Sequence, residues 1–357
     1  MDIISTIILF LVILSFLVLA HECGHFFAAR FFGVHVEEFG LGFPPRIKAW
    51  KRGPVAYSLN WLPLGGFVKL KGEQGEAAHD SDSFAAKPIW QRIIILVAGV
   101  AMNALLAVVL LTIGFTFGMP QVVDTDEERA GSVGVQYIQI VNVLPDSPAE
   151  KSGIRLGDII TRINGERYQK IADVQRAIAE HRGVPMTVEL ARGDEAMTIA
   201  VTPDSTGVGE PGRIGIGLAK TAVVSYPIHQ AFILAIKTTG ALIVGIAAML
   251  LNALTRLAFD GFVGPVGIAA YTATAAKLGF SYLINLMAQL SVSLAVINVL
   301  PIPALDGGRV LFALVEKVRG RALRPIFENA IHVIGFFALI LLLLAVTVRD
   351  IGRLIPF

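Results

Sequence analysis

The sequence predicts a mainly α-helical polytopic membrane protein. It has about four transmembrane helices, an inserted α+β domain and a membrane-associated β-hairpin region. Three observations carry this. Apolar residues make up 54% of the 357 and charged residues 16%, with a mean hydropathy of +0.67. Several runs of about 20 residues are almost free of charge, long enough to cross a bilayer. Between them lies a stretch where charge rises and the apolar period shortens to that of strands. The implied partner is a lipid bilayer. The formal net charge of +2 is too small to point to nucleic acid. A single cysteine, Cys23, excludes an internal disulfide framework.

The first element, 1–32, is a helix whose residues Met1 to Ala20 carry one charge, Asp2. It lacks a basic n-region, and cleavage near Ala20 would cut it apart, so it reads as a retained span rather than a signal peptide. Gly33 ends it. Residues 33–90 form a β-rich loop with seven Lys or Arg, from Arg46 to Lys87. The second span, 91–118, has no charge between Ile93 and Phe117. The third, 281–308, runs from about Tyr282 to a broken end at Pro301 and Pro303. The fourth, 331–348, is charge-free apart from His332 at its start.

Basic loops favour the cytoplasm. The 33–90 loop and the segment Arg309 to Glu328, with five Lys or Arg, should both lie there. An even number of crossings must then separate them, and the second and third spans supply two. The apolar stretch 229–260 would make the number odd. It also contains Lys237, Gly240 and Gly245, so it reads as an interfacial or re-entrant helix. The protein is expected in the cell inner (plasma) membrane, with residues 133–205 extracytoplasmic.

Within 133–205, Val135 to Leu144 is a β-branched run, and Ser147-Pro148 opens a short helix to Ser152. Asp158 to Ile163 reads as a strand closed by Asn164-Gly165. Ile171 to His181 has helical spacing. Thr187 to Ala191 and Met197 to Thr202 read as a hairpin about Arg192-Gly193-Asp194. Short strands with two helices, together with Ser147-Pro148-Ala149-Glu150-Lys151-Ser152-Gly153 and Leu156-Gly157-Asp158, resemble a PDZ domain. Such a fold offers a groove for a peptide or protein ligand. A rigid cap without ligand is the alternative.

The sharpest signal is His21-Glu22-Cys23-Gly24-His25. On a helix, residues four apart share a face, so both imidazoles can bind one Zn²⁺ with Glu22 beside them as a base. Ionisable groups are costly in a membrane helix and mark use. At 1.5 Å per residue His21 lies about 27 Å from Ile3, near the far side of the hydrocarbon core. Cys23 is two positions from each histidine and reads as packing.

Catalytic zinc takes three protein ligands and a water. A metzincin continuation would need Gly at 28 and His at 31, where the chain has Ala28 and Phe31. Glu37 and Glu38 sit in the β-rich region that leads away. Asp306, in Asn298-Val-Leu-Pro-Ile-Pro-Ala-Leu-Asp-Gly-Gly308, is the better candidate. Broken helix at membrane depth is tolerated where it lines a cavity. The crossing count also brings Asp306 to the cytoplasmic side, as it does the histidines. A cap for the following helix is its other reading.

The two motifs, with a PDZ-like domain between them, resemble the site-2 protease family of intramembrane zinc metalloproteases, closest to its bacterial RseP-like branch with a single PDZ domain. The resemblance implies His21, His25 and Asp306 as Zn²⁺ ligands and Glu22 as catalytic base. It implies Asn298 as a substrate-backbone contact, for which helix–helix adhesion is the alternative. Gly65 and Gly66, ahead of Phe67 to Leu70, resemble the family's membrane-associated β-hairpin beside the active site and are expected to bind substrate. The implied substrates are single-span membrane proteins, such as anti-sigma factors or remnant signal peptides. Asn103, in the second span, is assigned to packing. A zinc transporter would spread ionisable groups along a path, whereas here they form one cluster. An idle membrane scaffold would not need Glu22.

Overall fold

The computed structural model describes residues 2–73, 75–77, 79–123, 132–193, 195–204, 212–256, 263–321 and 325–354. Asp194, residue 205 and the 257–260 end of the expected 229–260 segment lie outside them. The chain divides into two compact units: Met1–Leu111 with Ala235–Ala273 and Leu286–Phe357, and Thr112–Leu234 with Thr274–Asn285.

In the first unit, helix α1 spans Ile3–Phe31. Asp2 caps it, its Oδ1 accepting the Ser5 N–H at 2.7 Å. Strands β1 (Val36–Arg52) and β2 (Val55–Leu70) follow as a long antiparallel hairpin. Both strands bend. Residues 38–41 of β1 pair with 56–59 on one side and with 66–69 on the other. Residues 66–69 therefore form one edge of the sheet, with residues 48–52 at the other. Helix α2 (Ile89–Phe117) packs against α1 through glycines. A Cβ on Gly24 would collide with the Ala98 carbonyl, and one on Gly99 would run into the rings of His21 and His25. Buried Phe26, Val34, Val36, Leu70, Phe84 and Ile95 tie the end of α1 to the hairpin and to α2.

In the second unit, strands β3 (Met119–Val122), β4 (Ser132–Val143), β5 (Ile159–Ile163), β6 (Met186–Arg192), β7 (Glu195–Val201) and β8 (Ile216–Ser225) form one sheet in the order β3-β8-β4-β5-β6-β7. Helices α3 (Pro148–Lys151) and α4 (Ile171–Glu180) complete the domain. Its core is aliphatic, with Ile140, Ile163, Val174, Met186, Val188 and Leu190 essentially sealed from solvent. The fully buried Asp158 carboxylate takes two hydrogen bonds from Arg192, at 2.6 and 2.7 Å, and holds that guanidinium above its ordinary pKa. The Asn164-Gly165 turn closes on one bridge, Ile163 to Glu166, and leads to α4 rather than to a returning strand. The sheet also outruns the expected 133–205. β3 and β8 lie on either side of those bounds, and β8 sits beside β4 because antiparallel pairing joins segments far apart in sequence.

Helix α5 (Ile228–Arg256) is continuous, which rules out a re-entrant hairpin among its described residues. Gly240 and Gly245 do not break it. By length and composition it is a fifth candidate span, beside α1, α2, α7 (Phe280–Val299) and α9 (Pro325–Leu354). Helices α6 (Pro265–Leu278) and α8 (Asp306–Arg319) are shorter.

Candidate metal centre

The end of α7 and the start of α8 bring Asp306 to the histidines. Pro301 and Pro303 cannot continue the helix, and the chain turns through Ala304 at φ 75° before α8 begins. A Cβ on Gly307 or Gly308 would strike the backbone of residues 299–300 or 302–303, so only glycine lets α8 fold back this tightly. Leu305, not Asp306, holds the N-cap position. Asp306 Oδ2 instead lies 3.0 Å from His21 Nε2 and 3.4 Å from His25 Nε2. The two Nε2 atoms are 3.1 Å apart. Among the described residues, these three form the cluster able to hold a metal ion, with one ligand atom each and all within 4.8 Å.

The hydrogen bonds behind the rings select the tautomer of each neutral imidazole. His25 Nδ1 is 2.8 Å from the Ile95 carbonyl oxygen, which only accepts. In the neutral ring the proton therefore sits on Nδ1, and Nε2 offers a lone pair. His21 Nδ1 is 3.3 Å from the Asn103 amide, whose Oδ1 is fully buried and has no hydrogen-bond partner among the described residues. A half-turn of that amide, which exchanges N for O, gives His21 the same arrangement. With both rings neutral, two lone pairs and a carboxylate oxygen face one another at 3.0–3.4 Å. Such a group fits a cation, and two imidazole nitrogens with one carboxylate oxygen suit a zinc-type ion. The sequence had assigned Asn103 to packing; it packs, and it also sits behind His21. Its place in an apolar helix was the available signal. Ser291 of α7 donates to the Asn103 carbonyl at 2.8 Å and anchors that turn of α2.

These residues border a cavity of about 500 Å³, also lined by Glu22, Gly66, Phe67, Val68, Glu73, Arg309 and His332. Glu22 makes no hydrogen bond or ion pair with the described residues. Gly66 passes so close that a Cβ there would lie 3.1 Å from Glu22 Cγ. Gly65 faces elsewhere, against the Phe43 ring. Asn298, half-buried near the end of α7, is not part of the lining. Glu37 pairs with Lys69 and Glu38 with Arg46, away from the cluster. Glu73, Arg309 and His332 went unflagged in the sequence, because nothing local ties them to the motif. Arg309 and Glu73 form an ion pair at the cavity wall.

The family model for peptidase family M50 matches residues 9–342. The chain belongs to that family. This M50 peptidase is 35% identical over 348 residues to a protein of Clostridium perfringens provisionally named as a zinc metalloprotease, covering 97% of this chain and 98% of that one. It is 29% identical over 430 aligned residues to the zinc metalloprotease RasP of Geobacillus kaustophilus, covering 98% of each. It is 28% identical over 436 to the regulator of sigma-W protease RasP of Bacillus subtilis, covering 98% of this chain and 99% of that one. Among solved structures, the PDZ domain of an SdrC-like protein from Listeria monocytogenes is similar over 24% of this chain and 92% of its own, at 22% identity and a TM-score of 0.22. Family membership favours the peptidase over the transporter and the idle scaffold. With its long apolar helices, the chain is a multi-pass membrane metalloprotease.

Proposed function

We propose that this M50 peptidase hydrolyses peptide bonds within transmembrane segments of single-span membrane proteins, with His21, His25 and Asp306 holding Zn²⁺ and Glu22 as the base. The observation that carries it is the convergence of His21, His25 and Asp306 beside Glu22, with both histidines and the glutamate on a helix long and apolar enough to cross a membrane. Zn²⁺ supplies Lewis acidity, which makes water acidic enough to attack at neutral pH and polarises a carbonyl. Glu22 takes the proton of the attacking water and passes it to the leaving amine. Carbonyl partners on both Nδ1 atoms keep the imidazoles aimed.

A helical substrate hides its peptide bonds in its own ladder and must unwind before cleavage. The edge segment of the hairpin at residues 66–69 borders the cavity, and an extended chain can add to it as a strand. Gly66 lets that strand approach Glu22, and Asn298 is the further substrate-backbone contact implied by the resemblance. Exposed Phe43, Ile47, Trp50, Trp61 and Leu62 on the hairpin, interspersed with Arg46, Lys48 and Lys51, suit a membrane surface. The RasP name of two relatives favours anti-sigma factors among the substrates, with remnant signal peptides as the second class.

The PDZ-like domain is read as extracytoplasmic and the metal centre as near the cytoplasmic face. A groove of about 500 Å³ between α4 and the start of β8, lined by Ile178, Ala179, Ile214, Ile216 and Leu218, fits a peptide laid along residues 216–219 of β8, which β3 leaves unpaired among the described residues. The deciding experiment is cleavage of a model transmembrane substrate by the wild type and Glu22→Gln, with zinc measured in both. We expect activity to fall by at least the hundredfold to ten-thousandfold typical of a lost general base, with zinc retained. Undiminished cleavage removes Glu22 from the mechanism.

A further inference from the structure

The loop that delivers Asp306 is held from outside itself. Between the end of α7 and the start of α8, the backbone makes short internal bonds: Ile302 N–H to Leu300 at 2.7 Å, Leu305 N–H to Ile302 at 3.2 Å. Ala304 sits between them at φ 75°, a left-handed conformation that a residue with a Cβ adopts only when its surroundings impose it. Its N–H donates to a side chain, His332 Nδ1 on α9, at 2.8 Å. Two further contacts fix that histidine. The Phe312 ring of α8 meets it edge-on at 5.2 Å. One turn along α9, Gly335 lets the helix backbone press on the loop: a Cβ there would lie within 2.7 Å of the Pro303 carbonyl oxygen.

A ring that accepts at Nδ1 is neutral and carries its proton on Nε2. That Nε2 is buried, has no hydrogen-bond partner among the described residues, and belongs to a residue lining the cavity of His21, Glu22, His25 and Asp306. Among the described residues, the one side-chain hydrogen bond His332 makes is therefore the bond to the Asp306 loop.

We propose that His332 is a positioning residue of the metal centre. By accepting the Ala304 N–H, it holds the loop Leu300–Leu305 in the strained conformation that aims Asp306 at His21 and His25. The inference rests on the zinc reading above. It gives the last long helix a function in catalysis beyond anchoring: α9 clamps the third ligand. Without the acceptor, Ala304 relaxes towards negative φ, and Asp306, two residues on, leaves its place.

Isosteres separate this role from bulk. In His332→Asn, the amide oxygen sits where Nδ1 sat and keeps the acceptor. In His332→Gln, a polar group sits near the position of Nε2 and the acceptor is lost. The readout is the half-time of zinc loss to excess EDTA from the full chain purified in detergent, with substrate cleavage alongside. We expect His332→Asn to hold zinc within about twofold of the wild type. His332→Gln should lose it roughly tenfold faster, at the low end for removing a support of a metal ligand. Ala304→Gly, which makes positive φ strain-free, should restore retention in the His332→Gln background. Wild-type retention in His332→Gln overturns the proposal. So does loss in His332→Asn equal to that in His332→Gln, or failure of Ala304→Gly to rescue. A wild-type protein that binds no zinc defeats the metal reading itself, a result distinct from all of these.

Discussion

At the residue scale, the centre depends on which atoms carry protons. His21 and His25 face the same point because they are four apart on α1, and each is held from behind through Nδ1. Asp306 completes the group and brings the negative charge. Asp306→Ala should therefore abolish cleavage and lower zinc content, since two imidazoles and water are a poor cage. Asp306→Asn should be nearly as damaging, because a neutral amide lacks that charge. Glu37→Gln and Glu38→Gln should leave zinc intact, as both carboxylates are paired with cations of the hairpin. Elemental analysis of folded, purified protein checks all four; zinc loss in a glutamate variant with full occupancy in Asp306→Ala would transfer the third ligand to the hairpin. Asn103→Leu removes the support behind His21. It should weaken zinc binding by roughly 10- to 100-fold while the helix still packs. A chelator titration beside a melting curve separates these effects, and unchanged affinity would return Asn103 to packing alone.

At the scale of elements, glycines decide how closely the pieces approach. Gly24 and Gly99 bring α1 against α2, and Gly307 and Gly308 fold α8 back on the loop. Gly66 brings the edge of the hairpin to Glu22. Gly66→Val would push the strand off the base without touching a ligand. Cleavage should fall by on the order of a hundredfold, the scale of an ångström misplacement, at unchanged zinc content. Equal activity in that variant would separate the hairpin edge from the reaction. The sequence marked Gly65 and Gly66 together by their place ahead of Phe67. Only the bend of the strands distinguishes them, turning Gly66 to the cavity and Gly65 to Phe43.

At the scale of the whole molecule, the placement of α5 sets the topology. Its length and apolarity qualify it as a span. Placing both basic loops in the cytoplasm, however, calls for an even number of crossings between them, and α2 and α7 would provide two. We expect α5 to lie at the extracytoplasmic interface. Cysteines at Ser225, just before α5, and Thr255, in its last turn, in a Cys23→Ser background, should both react with an impermeant reagent added outside. Reaction of one from outside and the other only from inside makes α5 a crossing and reverses the inferred side of Arg309 to Glu328.

The sequence by itself determined the membrane class, marked α1, α2, α7 and α9 as candidate spans, and supplied the ligand set proposed for the centre. Apolar run length and His-x-x-x-His spacing are local properties, and the bilayer and the helical repeat translate them directly into structure. It also singled out Asp306, because two prolines and a carboxylate at the end of an apolar run have few uses. What only the tertiary structure decided is long-range. β3 and β8 join the middle sheet from beyond its expected bounds because strand pairing carries no sequence distance. The supports behind the ligands, Asn103 and the Ile95 carbonyl, and the clamp at His332 come from other helices. Each is an ordinary residue until packing sets it against a ligand or the loop that carries one, and no local pattern records that meeting.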